Sequence, residues 1–232
     1  MNKKKDNYLW ITDYHSPYGH KRALEFCVSL QDEFDIPPEN VYCAGDFEDA
    51  YMFNNYFKSP DRKHTSLQEI DAVREEIKEW GRAFPLLHMC TSNHGSRLYK
   101  RALEAELPSV VLKGMQEIFA YPKKWTLKEE YIVCATKQEF LLTHGEGFSG
   151  VKGHIDAALA NGISTAIGHL HSFAGVSHIK TKHQDLWAMN GGCLIDQDSF
   201  AFEYAKNSKF KATIGSGVIL DGGRWPIFVP LI

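Results

Sequence analysis

Two histidines one residue apart, His169 and His171, follow Ala166, Ile167 and the glycine Gly168. At the end of a buried strand, where Gly168 permits a tight bend, both imidazoles can converge on one point and offer two nitrogen ligands to a metal. Two unrelated polar histidines in a turn would look the same, so the rest of the chain must supply the partners. Four further short runs do so: Asp13-x-His15, Gly45-Asp46-x-x-Asp49, Asn93-His94 and His144. Each is weak alone. Five in one chain, each carrying a carboxylate, carboxamide or imidazole, point to a metal centre assembled from distant stretches.

Such a centre needs elements that bring the five runs together. Each follows an apolar stretch that reads as a strand: Tyr8 to Thr12, Val41 to Ala44, Pro85 to Cys90, Glu139 to Leu142 and Ser164 to Ile167. Helical spacing lies between them, from about Tyr18 to Phe34, from Arg97 to Leu107, and over Thr65 to Gly81, where Thr65 and Gln68 form a capping box. Val151 to Asn161 is a helix closed by Gly162. Trp187 to Leu194 and Thr213 to Leu231 read as further strands, the last two turning at Asp221-Gly222-Gly223. Residues from about Val110 to Lys137 have no clean period, and the polar stretch from Asp196 to Ala212 suggests no function. Strands alternating with helices imply a layered α/β fold, in which ligands gather at the carboxyl ends of strands. Residues 1–232 read as one domain, without repeat or linker.

Bulk properties narrow the partners. The formal net charge of -3 on 232 residues gives no global attraction for a polyanion. No apolar run is long enough to span a membrane. The basic start, Met1 to Lys5, leads into a strand rather than a signal-peptide core. Five scattered cysteines form no disulfide framework and read as reduced core thiols of a cytoplasmic protein.

The order D-x-H, G-D-x-x-D, N-H, H, G-H-x-H resembles the signature of the calcineurin-like metallophosphoesterase superfamily, over Asp13 to His171. It is most similar to the short single-domain phosphoesterases of phages and bacteria. The resemblance implies an α/β/β/α sandwich: two stacked mixed β-sheets flanked by helices. It also implies two divalent metals. Asp13, His15, Asp46 and His171 would hold the first; Asp46, Asn93, His144 and His169 the second, with the Asp46 carboxylate bridging. A carboxylate has two oxygens to share, and the Asn93 carbonyl adds a ligand without charge. Such mixed donors suit manganese, iron, zinc or nickel better than calcium; manganese is the first expectation, with iron, zinc, nickel or cobalt as alternatives. A hydroxide bridging the metals would attack phosphorus in line. His94 would be the general acid for the leaving alkoxide, its ring oriented by Asp49. The chain departs from the pattern at Ser92 (usually Gly), Gly95 (usually acidic) and Ala50 (often Arg or Asn), none of them a metal ligand.

Substrate contacts are expected from Arg97, Phe47, Tyr51 and His20, with Phe53, Tyr56 and Phe57 adding rings on which a base could stack. The expected substrate is a small phosphomonoester, a nucleoside monophosphate first. The alternatives are a phosphodiester, including DNA or RNA, and a metal-poor scaffold that binds a protein. Asp46, Glu48 and Asp49 would add negative charge at the entrance and disfavour an extended polyanion. Lys123, Lys124 and Lys128 near Trp125 read as a solvated face, with nucleic-acid contact the sharper alternative.

Overall fold

The computed structural model describes residues 6–199, 201–202 and 209–232. The basic start at residues 1–5 and part of the polar stretch 196–212 lie outside them. Strands β1 (Tyr8–Ile11), β2 (Val41–Cys43) and β3 (His88–Cys90) are parallel neighbours and form the centre of the first sheet. β4 (Thr126–Lys128) extends it in parallel beyond β3. β10 (Gly215–Leu220) and β11 (Trp225–Pro230) add antiparallel strands beyond β1, giving the order β11-β10-β1-β2-β3-β4. The second sheet contains β5 (Glu130–Val133), β6 (Phe140–Thr143), β7 (Ser164–Ile167), β8 (Gly175–Lys180) and β9 (Asp185–Asn190), in the order β5-β6-β7-β9-β8. In it β6, β7 and β9 run parallel, while β5 and β8 are antiparallel edges.

The layers follow from the two faces of β1. Every residue of β1 is buried, as expected of a central strand covered on both sides. Alternate side chains go opposite ways. Leu9 and Ile11 join a core with Cys27 and Leu30 of helix α1 (Ala23–Glu33) and Val73, Ile77 and Trp80 of α2 (Ser66–Ala83). Tyr8 and Trp10 face the other sheet and pack with Phe140, Ala166, Trp187 and Met189. Helix α5 (Gly153–Asn161) covers β7 and β9. Two mixed sheets stacked between helices are the α/β/β/α arrangement that the resemblance implied. No helix among the described residues is long and apolar enough to cross a membrane.

Several local readings hold. Thr65 and Gln68 form the capping box of α2, and Gly162 closes α5 with φ +66°. The Asp221–Gly223 turn joins β10 to β11, with positive φ at all three residues. Other bounds move. The first helix starts at Ala23 rather than near Tyr18, because Tyr18 and His20 donate their N–H groups to the carbonyls of His15 and Leu194. The third strand starts at His88, and the helix after Arg97, α3 (Arg97–Glu104), stops before Leu107. A short α4 (Met115–Ile118) lies in the stretch without a period. Cys27, Cys43, Cys90 and Cys193 are buried thiols, but Cys134 is exposed, so it is not a core residue.

Candidate metal centre

The parallel runs of strands put the five motifs at one edge. Asp13 and His15 follow β1, Asp46 and Asp49 follow β2, Asn93 and His94 follow β3, His144 follows β6, and His169 and His171 follow β7. The two sheets are tied across this edge. His144 Nδ1 lies 3.0 Å from the Ala44 carbonyl oxygen, and the His169 N–H donates to Asp13 Oδ2 at 2.6 Å.

The side-chain donors converge as three groups, Asp13–His15–His171, Asp46–His144–His169 and His15–Asp49–His94. In the first, His171 Nε2 lies 3.1 Å from Asp13 Oδ2 and 3.3 Å from His15 Nε2. In the second, His144 Nε2 lies 3.2 Å from His169 Nδ1, 2.8 Å from Asn93 Oδ1 and 3.4 Å from Asp46 Oδ2. Asp46 Oδ2 also lies 3.7 Å from His15 Nε2, so this carboxylate stands between these two groups.

Three features fit a pair of divalent ions. Asp13 Oδ1 is buried without a hydrogen-bond partner, a costly state for a carboxylate oxygen unless a cation satisfies it. Next to it, a Cβ on Gly168 would come within 2.3 Å of Asp13 Oδ1 and 2.7 Å of Ala44 Cβ, so glycine keeps the space open. His15, Asp46 and His169 all adopt left-handed backbone, with φ of 57°, 43° and 63°. Such strain in non-glycine residues gathers at functional sites.

Electrostatics favour charged carboxylates. Burial pushes the Asp46 carboxyl up, but His94, His144 and His15 around it hold it well below the usual range. Burial likewise opposes ionisation of Asp13, and its hydrogen bond to His171 and the charge of His144 outweigh it. Burial and His94 lower the His15 imidazole; burial and His144 lower that of His169. A metal takes the neutral imidazole and the ionised carboxylate, and the shifts of His15, His169, Asp13 and Asp46 run in those directions.

His94 belongs to neither of the first two groups but forms the third with His15 and Asp49, and its Nε2 lies 3.8 Å from Asp46 Oδ2. Burial lowers its imidazole pKa, but Asp46 and Asp49 carry it above the ordinary value. Asp49 has a wider part than orienting His94. Its carboxylate makes a 2.7 Å contact with His15 Nδ1, and its backbone carbonyl lies 3.0 Å from His94 Nδ1. Arg97 donates to the same carbonyl at 2.6 Å and to His94 Nε2 at 2.8 Å. A guanidinium can only donate, so in this arrangement Nε2 accepts and carries no proton. The carboxylates favour the opposite state, and a proton on Nε2 breaks the Arg97 contact.

The expected substrate residues divide. Tyr51 and Arg97 line one cavity with His94. Phe47 does not: it is fully buried among Tyr14, Trp80 and Trp125 and offers no face to a base. His20 lines neither cavity beside His94; its ring accepts from the Arg22 N–H at 3.2 Å, at the start of α1. Asp46, Glu48 and Asp49 are all buried, so they do not form an exposed acidic entrance. Lys123, Lys124 and Lys128 are exposed, as a solvated face would be.

Other residues take parts at the site that the sequence did not indicate. Ser92 Oγ accepts the Asp46 N–H at 2.9 Å. The buried Glu48 accepts from Tyr121 Oη at 2.6 Å, and a Cβ on Gly95 would already lie 2.9 Å from Glu48 Oε1. Glu48 thus occupies the space into which an acidic side chain at residue 95 would project. Phe202 packs edge-on against the His15 ring, and with Phe173 and Phe210 it forms an aromatic wall of the cavity of about 490 Å³ over the ligands.

No family model matches the sequence, and no curated protein matches it. Among solved structures, an archaeal phosphodiesterase is 12% identical with a TM-score of 0.49, covering 97% of this chain and 99% of its own. Vps29 from Cryptosporidium parvum is 13% identical with a TM-score of 0.46, covering 95% and 88%. Vps29 from Chaetomium thermophilum is 10% identical with a TM-score of 0.42, covering 94% and 85%. Likeness at this level assigns no family, activity or partner.

Proposed function

We propose that the chain is a metal-dependent phosphoesterase that hydrolyses a small phosphate ester. The observation that carries the reading is the convergence of Asp13, His15 and His171 with Asp46, His144 and His169 around the Asp46 carboxylate, with the imidazole of His94 next to them; we assign His94 the acid's role rather than a ligand's. Asp13, His15, Asp46 and His171 would hold one divalent ion, and Asp46, Asn93, His144 and His169 the other, with manganese the first candidate. Bound there, the ions would polarise the phosphoryl group and acidify water. The chain's own residues do the rest. Asp49 fixes His15 and, through its carbonyl, His94. His94 delivers a proton from Nε2 to the leaving oxygen once Arg97 has released that nitrogen, and Arg97 is then free to donate to a phosphoryl oxygen.

A nucleoside monophosphate is the proposed first substrate, and a phosphodiester or nucleic acid the alternative. Cavities of about 490 and 830 Å³ beside His94, on a chain of net charge -3, favour the small ester.

The test is to load the full chain with manganese, count ions by elemental analysis, and screen hydrolysis of phosphomonoesters and diesters. Two ions and turnover of at least one class are expected. His94→Ala should keep both ions and lose ~10²–10⁴-fold in turnover, less for a p-nitrophenyl ester than for an alkyl ester, since a good leaving group needs little protonation. Absence of bound ions sinks the phosphoesterase reading, and an equal loss on both esters removes His94 from the acid's role.

A further inference from the structure

On the His94 side of the ligand cluster a cavity of about 830 Å³ lies between the segment 51–60 and α3. Asn93 and His94 border it and also border the cavity over the metal ligands, so the two spaces meet at the residue that faces the leaving oxygen. Its outer wall carries Tyr56 and Phe57, which are 79% and 101% exposed. Burying aromatic rings is favourable, and two adjacent ones held in water at the mouth of a cavity are an informative exception.

The segment that holds them is not loose. Arg101 of α3 donates to the Phe53 and Asn54 carbonyls at 3.0 and 2.6 Å. The buried Glu69 of α2 accepts the Tyr51 and Met52 N–H groups at 2.6 and 2.8 Å. Asn54 Oδ1 accepts the Tyr56 N–H at 3.0 Å, and Tyr51 Oη accepts the Ser59 N–H at 2.7 Å. The rings therefore stand on backbone fastened to two helices, which lowers the cost of ordering them around a ligand. Lys58 and Arg97 line the same cavity, adding positive charge. Exposed rings with cations beside a phosphoryl site match a planar ring attached to a phosphate.

We infer that this cavity receives the nucleoside leaving group of a nucleotide, its base stacked on Tyr56 and Phe57. The inference rests on the phosphoesterase reading for the reacting end. There, a bond forms between phosphorus and the oxygen of water, and the bond between phosphorus and the nucleoside oxygen breaks. His94 gives its proton to that oxygen and regains one from the attacking water, so the products are nucleoside and inorganic phosphate. The proton donor lies on the border of this cavity, and the departing alcohol leaves through it.

Adenosine monophosphate and ribose 5-phosphate have closely similar leaving alcohols and differ in the base. With the manganese-loaded full chain, KM for the nucleotide should be lower by ~10-fold or more, the scale of one stacked base. In the double variant Tyr56→Ala, Phe57→Ala that ratio should fall to about one, while Tyr56→Phe should keep it. Saturation transfer from the chelator-treated full chain to the base protons of adenosine monophosphate provides a readout independent of turnover. Transfer in the wild type that is lost in the double variant supports the cavity even if no ester is hydrolysed, in which case the phosphoesterase reading fails alone. Ester hydrolysis with equal KM for the two compounds and no transfer to the base overturns the cavity assignment and leaves the phosphoesterase reading standing.

Discussion

His15, Asp46 and His169 hold left-handed backbone, which costs a non-glycine residue ~1–2 kcal/mol. Glycine would relieve it but would bring no donor atom, so the strain accompanies the side chain. Space is managed in the opposite way at Gly168, where the absence of a Cβ leaves Asp13 Oδ1 clear. Gly168→Ala should therefore push the Asp13 carboxylate or Ala44 aside. Expected outcomes are a stability loss of ~1–3 kcal/mol, the usual cost of overpacking, and weaker binding of the ion that Asp13 would hold. Thermal melts of the metal-free chain and manganese titration measure the two, and wild-type affinity in the variant would show that Asp13 is not a ligand. The candidate ligands were legible because each stands directly after an apolar strand. The parts of Glu48, Ser92 and Phe202 were not, because they depend on Tyr121, on the Asp46 N–H and on the His15 ring, contacts between segments far apart in sequence. Phe47 was misread for the same reason: its place beside Asp46 suggested the cavity, but its side chain turns into the core with Trp80.

The elements that carry these residues differ in how plainly the sequence marks them. β1, β6 and β7 are buried runs, and α2 combines a capping box with a buried stripe of Val73, Ile77 and Trp80, so strand and helix signals are strong. β4 and β5 are short, and β8, though six residues long, has no fully buried residue; β5 and β8 are the edges of the second sheet, and none of the three shows a buried apolar run. α2 also carries an element-scale device. Glu69, buried on its first turn, accepts two backbone N–H groups of the 51–53 turn, yet burial raises its carboxyl from the ordinary 4.5 to about 7. Between those values the folded chain keeps a proton that the unfolded chain has released. Its contribution to stability is thus full below pH 4.5 and is lost as pH rises through 7. The depressed pKa values of Asp13, Asp46 and Asp49 act below the ordinary 3.8, outside this window. Glu69→Gln cannot ionise, so the fall in melting temperature from pH 4.5 to 7.5 should be shallower than in the wild type. Parallel melting curves across that range would contradict the account.

At the scale of the whole molecule, the question is what reaches the site. A long nucleic acid carries a charge about every 1.7 Å, and proteins that grip it through many phosphates lose affinity steeply with salt, by ~10³–10⁵ between 50 and 200 mM for six to ten contacts. This chain has a net charge of -3, and the cations nearest the candidate site are partly engaged already. Arg97 holds the Asp49 carbonyl, and Arg101 holds the carbonyls of Phe53 and Asn54. Burial of Asp46, Glu48 and Asp49 removes the acidic barrier expected from the sequence, so the proposed preference for a small ester would rest on shape and on the small number of available cations. The cavities of about 490 and 830 Å³ are sized for one nucleotide rather than for a duplex. Hydrolysis of a nucleoside monophosphate should therefore exceed that of long DNA and vary little from 50 to 200 mM salt, a range over which many-phosphate binding collapses. Both substrates measured across one salt series decide the matter: efficient, steeply salt-sensitive DNA cleavage beside negligible nucleotide turnover would reverse the order and make the chain a nuclease.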